Sequence, residues 1–187
     1  MEGKVVFEGK TEEGLEVLIR YIKDGDAGAL NEYINILSKE RTFISYQGEE
    51  VPLEVEKEYI QKVLKKFENN EAVHILAFVE GKLIGTSDLH MMDQGRGAIK
   101  HNGHFGISIL KEYRGKGLGK LLMRLVLDEA IKNLSNLRII TLGVFATNEA
   151  AFKLYKSFGF VEYGRLPEAF SYKGEYVDEI RMYKKVR

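Results

Sequence analysis

The stretch Ile109–Leu122, ILKEYRGKGLGKLL, sets three glycines (Gly115, Gly117, Gly119) among four cationic side chains (Lys111, Arg114, Lys116, Lys120). It then runs straight into leucines. Glycine lets the backbone take dihedrals closed to other residues and lets a ligand approach without meeting a side chain. Leu118, Leu121, Leu122, Leu125 and Val126 form one apolar stripe, which predicts an amphipathic helix over 118–131. The start of a helix carries unsatisfied N–H groups and the positive end of the helix dipole. A glycine-rich turn opening such a helix is a site for an anion, naturally a phosphate or pyrophosphate. The bland alternative is a surface turn with solvated lysines. Two familiar phosphate motifs do not fit. A Walker loop needs Ser or Thr after its lysine, and Lys120 is followed by Leu121. A dinucleotide fingerprint needs glycine at the sixth position, counting from Gly115, where Lys120 stands.

Composition narrows the classes. The chain of 187 residues balances 28 basic against 28 acidic side chains, which argues against a protein that coats nucleic acid. A 44% hydrophobic and 30% charged composition is that of a soluble globular protein. There is no cysteine, so disulfides, thiolate metal sites and cysteine nucleophiles are excluded. The first residues lack the apolar core of a signal peptide, and no apolar run reaches membrane-spanning length, so the expected address is the cytoplasm, with no membrane partner.

Around the turn, the pattern alternates strands and helices. Val5–Phe7 and Glu16–Tyr21 read as paired strands, and 26–37 and 55–67 as helices. AVHILAFVE and KLIGTSDLHM form a hairpin through EGK, DQGRGAIKHN is a loop, and HFGISIL is the strand before the glycine turn. LRIITLGVF is a buried strand. NEAAFKLYKSF is a short helix opened by Thr147 or Asn148 and closed by Gly159. FVEYGRL and YVDEIRMYKK end the chain as strands, giving an α/β order around one mixed sheet.

The pattern R-x-x-G-x-G at Arg114, Gly117 and Gly119, followed after a strand by NEAAFKLYKSFGF, resembles the GNAT superfamily of acyl-CoA-dependent N-acetyltransferases. In the second signature Asn148, Tyr155 and Gly159-Phe160 match, and the resemblance runs over roughly 72–184. It implies an α/β GNAT fold: a mixed, mostly antiparallel, twisted sheet of about six or seven strands. Helices flank both faces, and acetyl-CoA lies in a splay between central strands. With no repeat, low-complexity tract or obvious linker, the chain reads as a single domain over 1–187, with 1–14 as an extension or extra strand, and the resemblance implies a homodimer through the last strands.

On that resemblance the cofactor is coenzyme A as its acetyl thioester. The amides of Arg114, Gly115, Lys116, Gly117, Leu118, Gly119 and Lys120 would cradle its pyrophosphate. Ile107, Ser108 and Ile109 would hydrogen-bond the pantetheine arm, with an amide near Ile109 for the oxyanion. Asn148 would touch that arm or start its helix.

The leaving thiolate benefits from a nearby acid. Tyr155, seven residues after Asn148 and so on the same helix face, can donate its proton or a hydrogen bond; without the resemblance it is one more half-buried tyrosine. The attacking amine must be neutral, which calls for a base. Relatives carry a glutamate where this chain has Gly143, so His104, just before the cofactor strand, is the substitute, and Glu40 a weaker one. His101 and His104 have no third ligand at metal-site spacing, so no metal is expected. Two segments, KERTFISYQGEEVPLE and PEAFSYKGEYVD, would shape the acceptor groove, the second as a loop between the last strands. They combine aromatics (Phe43, Tyr46, Phe170, Tyr172, Tyr176) with acids (Glu40, Glu49, Glu50, Glu168, Glu175), a setting for a cationic amine. The ending resembles relatives acting on protein N-termini, amino acids or small amines, and lysines or polyamines also satisfy the chemistry. The rival reading is a module that binds acyl-CoA without catalysis.

Overall fold

The computed structural model describes residues 1–92 and 97–186. Part of the expected loop DQGRGAIKHN, 93–96, lies outside the described residues. In chain order the elements are β1 (Val5–Lys10), β2 (Glu16–Tyr21), α1 (Ala27–Lys39), α2 (Leu53–Glu68), β3 (Ala72–Val79), β4 (Lys82–Met91), β5 (Asn102–Ile109), α3 (Leu118–Asn133), β6 (Ile139–Phe145), α4 (Glu149–Ser157), β7 (Val161–Tyr172) and β8 (Glu175–Lys185). The strands form one sheet in the order β1-β2-β3-β4-β5-β6-β8-β7. That is eight strands rather than six or seven, because the N-terminal hairpin adds β1 at the edge beyond β2.

Central strands β3 and β4 are buried almost throughout and pair along their length. Their two faces take different cover. Leu118 and Leu122 of α3 approach Gly85, and Leu154 of α4 approaches Gly119, so α3 and α4 lie together on one face. Tyr33 of α1 bonds Ser108, and Tyr59 of α2 lies 3.3 Å from His74 Nδ1, so α1 and α2 cover the other. That second face is polar where it meets the helices. His74 is buried between Tyr59 and Thr86, and burial pushes its imidazole down to about 4.

The last hairpin departs from expectation. The segment expected as a loop is strand: β7 runs through Pro167 to Tyr172, and the turn is only Lys173-Gly174, with φ of 54° and 84°. Pro167 is tolerated because the register with β8 shifts between Leu166 and Phe170, a bulge where the ladder lacks a bond.

Among the described residues no helix is long and apolar enough to cross a membrane.

Candidate active site

Every neighbouring pair of strands is antiparallel except β5–β6, and that pair is short: Asn102–Ile139, Gly103–Ile140 and His104–Thr141. Past His104 and Thr141 the two strands part, and a cavity of about 570 Å³ opens between them. Residues from His104 to Ile109 line one wall, and Gly143, Val144 and Phe145 the other. Leu110 N donates to Ile84 O on β4. Because amides alternate edges along a strand, those of Ile109 and Ile107 point the other way, into the cleft. An extended amide-bearing chain therefore finds a free strand edge there. Ser108, in contrast, has its hydroxyl 2.8 Å from that of Tyr33, on the α1 face.

The glycine turn closes one end. Gly115 and Gly117 have φ of 71° and 72°, and Gly117 caps α3 without any side-chain bond. From Gly115 to Lys120 no amide finds an acceptor among the described residues, leaving six donors grouped at a helix start. Gly115 and Gly119 line the cavity, whereas Lys116, Gly117, Leu118 and Lys120 do not. The Leu118 side chain is buried in the core. Arg114 has its guanidinium committed to the protein: Nη2 bonds Glu40 Oε2 at 2.5 Å, Nη1 bonds Thr42 Oγ1 at 3.2 Å and Nε bonds Ile109 O at 2.8 Å. It braces the turn against α1 and β5. Glu40, which also accepts from Lys111 N, is the other half of that brace and does not line the cavity.

An acidic turn from the first hairpin lies over this loop. Thr11 Oγ1 donates to Lys116 O at 2.8 Å, Glu12 pairs with Lys120 at 2.8 Å, and the Glu13 carboxylate rests against Gly117.

On the α4 side, Asn148 Oδ1 accepts from Ala151 N at 3.2 Å and so starts the helix, while also lining the cavity. Tyr155 is 6% exposed, set edge-on to Phe105 at 6.0 Å. Burial pushes its phenol up to about 12, and Tyr155, which lines the cavity, makes no side-chain hydrogen bond among the described residues. His104 lines the cavity at the point where the strands part and is exposed.

Of the aromatics expected at the acceptor groove, Phe43, Phe170 and Tyr172 gather around Phe145 of β6, which the sequence pattern did not mark. Phe145 and Phe170 stack at 3.8 Å, with Phe43 at 5.6 Å from Phe145 and Tyr172 at 5.1 Å from Phe43. Of the acids expected around the acceptor groove, Glu49, Glu50, Glu168 and Glu175 are exposed and none lines the cavity. Tyr46 and Tyr176 are likewise exposed. The acid that does line it is Glu179 of β8, whose carboxyl occupies the space beside Gly143. On the other wall the Asp88 carboxylate stands behind Gly106, 2.9 Å from where a Cβ would be. Burial alone would push Asp88 up, but the hydrogen bond with His90 and the charges of His74, His90 and His104 outweigh it and hold it below the usual carboxylate range.

Residues 31–160 match the family model described as the acetyltransferase (GNAT) family. The chain belongs to the GNAT acetyltransferase family. It is thus an acyltransferase, and the match reaches back through most of α1 and all of α2, beyond the two signatures. The chain is 30% identical over 108 residues to the L-amino acid N-acetyltransferase AaaT of Escherichia coli, a match covering 58% of this chain and 65% of that relative. Among solved structures, a GNAT-family acetyltransferase from Streptococcus pneumoniae superimposes with a TM-score of 0.82 at 31% identity, over 91% of this chain and 100% of that one. An acetyltransferase from Salmonella typhimurium, solved with its cofactor acetyl-CoA, shares the fold at 18% identity, with a TM-score of 0.78 over 91% and 94%. In the GNAT frame, the wedge between β5 and β6 is the splay expected between central strands.

Proposed function

We propose that this chain transfers the acetyl group of acetyl-CoA to a primary amine by direct attack within a ternary complex. The observation that carries the proposal is the wedge: a parallel pair only three residues long, a free edge on β5, and six unbonded amides at the mouth of α3. A pantetheine arm would run as a strand along Ile107 and Ile109. The pyrophosphate would sit on the amides from Gly115 to Lys120, with Arg114 holding the turn rather than the phosphate. Acetyl-CoA supplies the activated acetyl thioester. The Ile109 amide, aimed into the cleft, meets the oxygen on which negative charge develops.

Tyr155 faces the sulfur end. With its phenol at about 12 it stays protonated at any working pH. The alkyl thiol leaves as a weaker base than the tyrosinate, so Tyr155 serves as a hydrogen-bond donor to the thiolate rather than an outright acid. His104, exposed where the strands part, passes the released proton to solvent. Direct attack accords with the absence of cysteine and with the commitment of the Ser108 hydroxyl to Tyr33, which remove two carriers for the acyl group.

The acceptor enters on the α1–α2 side, against Phe43, Phe145 and Phe170. That surface suits an amine carrying an apolar group next to its nitrogen, such as an amino acid or a peptide N-terminus, better than a polyamine. The test is thiol release from acetyl-CoA across single amino acids, N-terminal peptides, lysine peptides and polyamines. Amine-dependent release, strongest for apolar α-amines, is expected. Binding of acetyl-CoA without release for any amine overturns the transferase reading in favour of an acyl-CoA sensor.

A further inference from the structure

The transferase reading leaves the acceptor amine, protonated at neutral pH, without a base at the family's glutamate position. Gly143 takes that place on β6. Its φ is not positive, so the backbone does not demand glycine there. What glycine provides is room. A Cβ on residue 143 would run into the Glu179 carboxylate, 3.0 Å from its carboxyl carbon and 3.3 Å from its Cγ.

Register explains how Glu179 reaches the spot. β6 and β8 pair with Gly143 opposite Arg181 and Phe145 opposite Glu179. Residues alternate faces along a strand, so Thr141, Gly143 and Phe145 share a face with Glu179 and Arg181, and His104 joins them through its pairing with Thr141. Glu179 therefore leans diagonally across the missing side chain. One carboxylate oxygen, Oε2, bonds Arg181 Nε at 2.8 Å, which fixes the group. The other, Oε1, lies nearest Gly143 and has no hydrogen-bond partner among the described residues. Glu179 lines the cavity together with His104 and Phe170, and its side chain is 21% exposed. Asp88, on the far wall, stands behind Gly106 and does not line the cavity.

We propose that Glu179 takes the proton from the acceptor ammonium, so that a carboxylate from β8, admitted by Gly143, does on this chain what a glutamate on β6 does in relatives. This rests on the transferase reading. The acceptor R–NH3⁺ gives one proton to Glu179 Oε1, directly or through one water. The freed lone pair forms the C–N bond to the acetyl carbon, and the C–S bond breaks with its electron pair on sulfur. Sulfur takes the second of the nitrogen's protons, the third remains on the amide, and Glu179 gives up its proton to solvent by way of the exposed His104 on the same face. Nitrogen, sulfur and charge balance with one proton released. The ionisable groups facing Glu179 are Arg181 on its own strand and His104 on β5. Tyr163 of β7 acts on Arg181. Gly143, Val144 and Phe145 of β6, with Thr42, Phe43, Ile44 and Ser45, line the same cavity and carry no charge.

The test is Glu179→Gln, measured as kcat/KM for the acceptor amine from pH 6 to 10, with acetyl-CoA affinity by calorimetry and far-UV circular dichroism as a fold check. Loss of a general base is expected to lower kcat/KM by about 10²–10⁴ at neutral pH. Acetyl-CoA Kd stays within about twofold, and the gap narrows as pH rises and the amine supplies its own neutral form. Gly143→Ala, which leaves the carboxylate in the chain but displaces it, is expected to show the same pH-dependent loss. Gly143→Glu combined with Glu179→Ala, which returns the carboxylate to β6, is expected to recover at least tenfold over Glu179→Ala. A Glu179→Gln protein within threefold of the native value, or a deficit independent of pH, overturns the proposal while leaving the transferase reading intact. A native protein that releases no thiol with any amine overturns both.

Discussion

Replacing Tyr155 by Phe tests the chemistry at the sulfur end. The substitution keeps the ring against Phe105 and removes one oxygen that makes no hydrogen bond among the described residues. The fold therefore loses no hydrogen bond, and Tm is expected to stay level or rise slightly. The ground-state thioester sulfur is a weak acceptor, so acetyl-CoA Kd changes by less than about twofold. The cost appears when the C–S bond breaks. Full proton transfer from a phenol at about 12 to an alkyl thiolate is uphill, because the thiol is the stronger acid. What the hydroxyl supplies is therefore a hydrogen bond to a charged sulfur, worth about 1.5–3 kcal/mol. That range corresponds to a fall in kcat of roughly 10- to 150-fold. The assay is thiol release read with a disulfide reagent, and a chain without cysteine contributes no background thiol. Since Tyr155 stays protonated well beyond neutrality, its removal is expected to leave the shape of the kcat–pH profile unchanged to about pH 10. Turnover within twofold of native would remove Tyr155 from the mechanism, and a new basic limb would show it to be a proton donor instead.

Three further outcomes follow from other parts of the molecule. Glu12 and Glu13 hold acidic groups against Lys120 and Gly117, so Glu12→Gln with Glu13→Gln is expected to tighten acetyl-CoA by roughly threefold at low salt, the gain fading as salt screens it; a loss of affinity measured by calorimetry refutes that competition. His74 has its buried imidazole pushed from 6.5 to about 4, so its neutral form stabilises the fold fully above pH 6.5 and that stability is lost as pH falls toward 4. Between pH 7.5 and 5 the loss is about 2 kcal/mol, a Tm drop of roughly 4–8 °C for a chain of this size, and His74→Gln is expected to flatten that part of the Tm–pH curve; an equally steep curve in the variant would assign the drop elsewhere. Gly103 is buried, with a Cβ there 2.8 Å from Leu89 and 2.9 Å from Leu137, so Gly103→Ala is expected to destabilise by about 1–3 kcal/mol in denaturant unfolding.

How much of this was legible in the sequence depended on how local each feature is. The glycine turn, the stripe of α3 and the Asn148 cap rest on residues within a few positions of one another, and spacing displays them directly. Arg114 shows where that ends: its type and place suggest phosphate, yet Glu40 and Thr42, some seventy positions earlier, bring acceptors that commit the guanidinium to bracing. The last hairpin was misjudged for a different reason. The loop there was carried over from the resemblance, and only the pairing register shows strand on both sides, with Pro167 at a bulge where a missing N–H costs nothing. Glu179 is the hardest case, because its relation to Gly143 is a diagonal across β6 and β8, set by a register that no residue spacing displays. Along the chain, glycine at the family's glutamate position reads as a lost base. Across the sheet, the same absence of a Cβ is the opening that a neighbouring carboxylate fills. In a sheet enzyme, then, the unit that carries a catalytic group is the cross-strand pair rather than the motif position. A vacancy at one member counts against catalysis only after the side chains opposite and diagonal to it have been accounted for.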